Sequence, residues 1–146
     1  MNERLSAYQQ TSLLGSLEDA SPHRLIQMLL DGCIQRVVRA RQALDSGRVE
    51  QKVEAVQKAL SILDGLAASL DMEQGEIARN LDELYAYMKQ RLVDGNCSNR
   101  PEPFDEVVAL LREIKMAWDA MPMVMRADSQ PRGREPVERA GIELQG

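Results

Sequence analysis

The stretch Ser21-Pro22-His23-Arg24-Leu25-Ile26-Gln27-Met28-Leu29-Leu30-Asp31-Gly32-Cys33, after which no proline occurs until Pro101, decides the fold of this chain. The Ser21 hydroxyl can accept from an orphan N–H, and proline suits the first helical position, so a helix starts here. From it Ile26, Leu30, Cys33, Val37, Ala40 and Leu44 recur every three or four residues, the period of one helix face, and Gly47 supplies a stop. A second ladder runs through Val49, Val53, Val56, Leu60, Leu63, Ala67 and Leu70 and is interrupted around Asp71 to Gly75. A third runs through Ile77, Leu81, Leu84, Met88 and Leu92 before Gly95-Asn96. Residues 96–103 read as a loop from their Asn, Ser and Pro content, and a fourth ladder, Val107, Leu111, Ile114, Trp118 and Met121, ends at Pro122. Four helices of about 20 residues, each about 30 Å long, joined by short loops, predict an all-α, antiparallel up-down four-helix bundle.

Composition agrees with that reading. The 146 residues suit one domain, and 44% hydrophobic with 28% charged is ordinary for a globular protein. One Thr, one Phe and three Tyr leave little material for strands. A net charge of −5 lacks the electrostatic footprint of a nucleic-acid binder. No apolar run approaches a membrane span, and the polar N-terminus has no signal-peptide core, so a cytoplasmic protein is expected. Two pieces fall outside the predicted bundle of residues 21–125. Residues 1–20 have scattered apolar positions without a period and read as an N-terminal arm. Residues 126–146 are rich in Pro, Gly and charge and read as a disordered C-terminal tail.

Catalytic material is thin. His23, the one histidine, reads as a surface residue in a first helical turn, without nucleophile or orienting partner. A ferritin-like carboxylate site needs two Glu-x-x-His motifs, and one histidine cannot supply them. Asp82-Glu83 and Asp105-Glu106 are helix neighbours that point about 100° apart and read as solvated or first-turn charges. Cys33 and Cys97 fit two unpaired thiols, and no Gly-rich phosphate loop is present. The expectation is therefore no enzyme, no metal and no cofactor.

Apolar surface is in excess instead. Helix 1 carries Leu25, Met28, Leu29, Ile34 and Val38 beside its main ladder, and helix 2 adds Ile62 and Leu66. Helices covered on two sides would explain this, and so would a groove that receives a partner helix. Gly32 and Gly65 weaken their helices by about 1 kcal/mol each relative to Ala, which a closely approaching backbone, from inside the bundle or from a partner, would account for. A structural bundle that self-associates through the surplus face is the competing reading of another class.

Several separate motifs then agree in order. The run from Ala20 to Gly32, Ser69-Leu70-Asp71, the run Asn80-Leu81-Asp82-Glu83-Leu84-Tyr85-Ala86-Tyr87-Met88, Asp105-Glu106-Val107 with Trp118, and an N-terminal Ala7-Tyr8 together resemble the flagellar secretion chaperone (FliS) family over about residues 5–121. The resemblance implies a four-helix bundle that binds the C-terminal segment of newly made flagellin in the cytosol, prevents premature polymerisation and assists delivery to the flagellar type III export gate. A gate component is thus an implied partner, and a regulator of flagellin expression is left open. Carried over residue by residue, flagellin contacts fall on Tyr8 of the arm, on Leu25, Met28, Leu29, Asp31, Gly32 and Ile34 of the first helix, and on Asn80, Leu81, Leu84, Tyr85 and Tyr87 of the third. For the two tyrosines a ring at the bundle boundary with its hydroxyl in water is an equal alternative. Leu30, Gln74-Gly75 and Ala86 depart from the family pattern, changes that bear on contact details more than on function.

Overall fold

Ser21 caps the first helix as its sequence predicts: its Oγ accepts from the Arg24 N–H at 3.1 Å, and Pro22 occupies the first turn. The computed structural model describes residues 21–121. They form α1 (Pro22–Asp45), α2 (Val49–Ala68), α3 (Glu76–Ser98) and α4 (Pro101–Asp119), with one 3₁₀ turn at Met72–Gln74 between α2 and α3. The expected arm with Tyr8, the tail, and the placement of Met123 and Met125 lie outside the described residues.

The helices close into a four-sided ring in which α1 packs on α2 and α4, and α3 packs on the same two. Short connections turn the chain back between successive helices, and two cross-links along α1 and α4 show that this closing pair also runs antiparallel. Cys33 lies beside the Ala59 carbonyl at 3.7 Å, Gln27 bonds Asp119 at 2.6 Å, and Arg41 bonds Asp105 at 2.9 Å. The ladders build the core: Leu30, Cys33 and Val37 from α1 meet Val56 and Leu63 from α2, Met88 and Leu92 from α3, and Val107 and Leu111 from α4, and Leu66, expected as surplus surface beside the α2 ladder, is buried with them, all at most 2% exposed. Each such aliphatic side chain contributes on the order of 1.5 to 3 kcal/mol by leaving water.

Two connections follow the sequence signals. Gly47 takes φ +70° after α1, and Gly75 takes φ +93° before α3, both in backbone regions that side chains disfavour. The third differs from expectation. The loop expected over residues 96–103 shrinks to Asn99 and Arg100, because α3 continues through Gly95 to Ser98 and α4 already begins at Pro101. Asn99 ends α3 in the left-handed region at φ +55°, and Pro101 serves as a helix start. Lys52 of α2, only 4% exposed, holds the junction by donating to the Asn96 carbonyl at 2.9 Å and to Asn99 Oδ1.

Gly95 is thus not a stop but a packing residue. A Cβ there would stand 3.1 to 3.3 Å from the ring of the fully buried Phe104. At Gly65 a Cβ would meet nothing within 4 Å, and at Gly32 only Ile62 Cδ1 at an ordinary 3.6 Å. Close approach inside the described bundle therefore explains Gly95 and neither of the two glycines for which it was invoked.

These environments predict opposite outcomes for one substitution. Gly65→Ala is expected to raise stability by about 0.5 to 1 kcal/mol through helix propensity alone. Gly95→Ala is expected to lower it by about 1 kcal/mol, because overpacking against Phe104 exceeds the same propensity gain. Urea unfolding followed by circular dichroism reads both, and equal shifts in the two variants would contradict the packing account.

Candidate functional site

A helix in a four-sided ring has two covered flanks, one core edge and one outer face, and residues 100° apart fall on different ones. The residues expected to form one site on α1 are divided by this geometry. Leu25, Met28 and Gly32 recur at i, i+3 and i+7, and the Gly32 side faces Ile62 of α2, so this stripe borders the α1–α2 seam. Leu25 and Met28 are half-buried and are not among the side chains packed on the core, whereas Leu29 and Ile34 are. Asp31 turns toward α4, where its Oδ1 lies 3.6 Å from Lys115 Nζ.

The α3 residues separate in the same way. Tyr85 is 3% exposed inside the core, and burial pushes its hydroxyl up to about 12. The alternative of a boundary ring with a wet hydroxyl therefore does not describe Tyr85. Leu81 and Leu84 are half-buried against the core, and Asn80 is exposed. Tyr87 is 44% exposed, but its hydroxyl is engaged: it donates to Glu106 Oε2 at 2.6 Å, while Arg91 Nε donates to Glu106 Oε1 at 2.7 Å. The bond to Glu106 raises the Tyr87 hydroxyl, and bonds from Tyr87 and then Arg91 hold the carboxyl of Glu106 below its ordinary value. Asn80, Leu84, Tyr87 and Arg91 are spaced by four, three and four residues, a single stripe beside α4.

The α1 stripe and the α3 stripe do not meet. Helices α1 and α3 occupy opposite corners of the ring, so the α1–α2 seam and the α3–α4 seam lie on opposite sides of the molecule. They are two surfaces and not two walls of one groove.

Two other expectations need correction. His23 is 7% exposed, not on the surface: its ring stacks on Trp118 at 4.9 Å and 10°, and Trp118 Nε1 donates to the His23 carbonyl at 3.0 Å. Antiparallel pairing of α1 with α4 covers the first turn of α1, and a lone Trp in the last turn of α4 was the available signal. Asp105 and Glu106 sit in the second turn of α4 and reach different neighbours, Arg41 of α1 and Arg91 of α3. Sequence reasoning also missed Lys52, because a lysine in an apolar ladder has no periodic signature.

Burial pushes the Cys33 thiol up to about 12, far from a thiolate. Among the described residues no group of three or more His, Cys, Asp and Glu could hold a metal ion, and no helix is long and apolar enough to cross a membrane. The arrangement can present shape, apolar area and charge to a partner.

Comparison with known proteins gives that surface a context. The family model described as flagellar protein FliS matches residues 4–124. The chain is 48% identical over 116 residues to the flagellar secretion chaperone FliS of Salmonella typhimurium, covering 78% of this chain and 86% of the relative. It is 45% identical over 118 residues to the flagellar secretion chaperone FliSB of Pseudomonas aeruginosa, covering 80% and 94%. It is 41% identical over 123 residues to FliS of Vibrio cholerae, covering 84% and 90%. With a family match spanning the whole bundle and these identities over most of each chain, this protein belongs to the FliS family of flagellar secretion chaperones.

Proposed function

We propose that this chain is a cytosolic export chaperone that binds the C-terminal segment of flagellin, keeps it from polymerising early and assists its delivery to the flagellar type III export apparatus. Family membership supports the reading. The observation that carries it is the α1 stripe of Leu25, Met28 and Gly32, apolar positions that the core does not use. Gly32 adds no side chain of its own beside Ile62, and the exposed Gly65 of α2 has open space over it, which suits lateral docking of an amphipathic helix. Asn80, Leu84 and Tyr87 offer a second place on the α3–α4 seam.

Of the remaining contact positions, Leu29, Ile34, Leu81 and Tyr85 support the seams from the core side, and Asp31 positions α1 against α4. Tyr8, outside the described residues, would add an aromatic contact from the arm. A client reaching both seams must pass around the ring in an extended form, so it is unfolded before binding and orders as it binds. That ordering holds its affinity below what the contact area implies. A component of the export gate is the second partner in this reading.

A synthetic peptide covering the C-terminal helical region of flagellin is expected to bind the full chain one to one and to gain helicity. Calorimetry without heat and circular dichroism without helix gain at micromolar concentrations would overturn the proposal, and concentration-dependent self-association in place of binding would favour the structural-bundle reading.

The contact surface is tested by charge placement. Met28→Glu is expected to weaken peptide binding by about 1 to 3 kcal/mol, as loss of a buried apolar anchor does. Met116→Glu, at a position 69% exposed on α4, is expected to change it by less than about 0.5 kcal/mol. Thermal unfolding should be nearly unchanged in both, and equal binding by the two variants would remove the α1–α2 seam from the site.

A further inference from the structure

At the opposite end of the α1–α2 seam from Leu25 and Met28 the surface changes character. A cleft of about 360 Å³ opens beside the α1–α2 turn, and Arg36, Arg39 and Arg48 line it above a floor that includes Ala43 and Ala55. Both alanines are 7% exposed, and their short side chains let the cleft reach down between the helices. Glu54 is the single acid on its walls, and its carboxylate faces Lys58 at 3.7 Å.

The three arginines differ from others of the bundle. Arg41 and Arg91 are each neutralised by two carboxylates, whereas Arg36, Arg39 and Arg48 have no ion-pair partner among the described residues. The carbonyls of Gln42, Ala43 and Leu44 at the end of α1 accept from the N–H groups of Ser46, Arg48 and Gly47. A chain of net charge −5 therefore concentrates unpaired guanidinium groups around one concave site.

Guanidinium groups match carboxylates in two-point geometry and bind them better than a point charge does. From Arg36 to Ser46 the cleft follows α1 for about 15 Å at about 1.5 Å per residue, the length of about four or five residues of extended chain. A nucleic acid would bring a long row of phosphates against a net negative protein, and three arginines offer it few contacts. We propose that this cleft docks a short acidic segment of a protein partner, with two or more carboxylates held by Arg36, Arg39 and Arg48. The site is separate from the apolar stripe and gives the bundle a second kind of partner contact, one that salt weakens.

The test uses the full chain and a fluorescent peptide containing four consecutive glutamates, read by anisotropy. Binding is expected to fall at least tenfold in the triple variant Arg36→Gln, Arg39→Gln, Arg48→Gln. It is expected to fall less than twofold in a charge-matched control, Arg24→Gln, Arg79→Gln, Arg112→Gln, which alters exposed arginines elsewhere. Circular dichroism melts should coincide for the triple variant and the parent, since no ion pair is lost. The flagellin C-terminal peptide should bind both variants as it binds the parent, so failure of this site and failure of the proposed function are separate results. Absence of peptide binding, equal losses in the two triple variants, or tighter binding of inorganic phosphate or a single-stranded decanucleotide than of the peptide would each overturn the proposal.

Discussion

Everything in this bundle depends on α4 returning to α1. The other three neighbouring pairs are joined by short connections and meet almost by necessity, but α1 and α4 join residues more than 60 apart in sequence, and nothing local brings them together. Contacts along the full length close that side. The His23–Trp118 stack lies at one end, Gln27–Asp119 and Asp31–Lys115 follow, and Arg41–Asp105 lies at the other. The exposed ion pairs among them are worth at most about 1 kcal/mol each. Their value lies in register, since they fix which turn of α4 faces which turn of α1 while Val107 and Leu111 supply the free energy by burial.

Closure also decides what is left for partners. Because each helix buries two flanks, an apolar residue on α1 is consumed by the core, by a neighbour, or by neither. Of the expected α1 set, Leu25 and Met28 are the large apolar side chains that are not packed against the core. The same seam turns from apolar and glycine-lined at the end where α1 starts to arginine-lined beside the α1–α2 turn. One pair of helices thus displays two chemistries in succession, Met28 and Arg36 being about 12 Å apart along α1 at about 1.5 Å per residue.

The α3–α4 junction shows how tight packing replaces a loop. Gly95 lets α3 pass close to the Phe104 ring, Asn99 takes the left-handed turn, and Lys52 satisfies the end of α3 from a third helix. Local composition at Asn96 to Pro103 pointed to eight residues of loop after a stop at Gly95, because Asn, Ser and Pro are turn formers when read one position at a time. Whether a glycine breaks a helix or admits a ring depends on what stands opposite, and Phe104 stands nine residues away on another helix.

What the sequence by itself determined is whatever repeats at the helical period or acts within one turn. The four ladders, the Ser21-Pro22 start, the glycine turns after α1 and before α3, and the motif agreement that places the chain in its family were all readable from residue order. Only the tertiary structure decided the azimuth of each side chain in the closed ring. It drew Tyr85 into the core while leaving Tyr87 bonded to Glu106 at the surface, and it buried His23 under Trp118. It also set α1 and α3 at opposite corners and gathered Arg36, Arg39 and Arg48 around one cleft. The physical reason is that a helical period defines a face only relative to its own axis, while burial, stacking and charge pairing depend on which other helix that face meets.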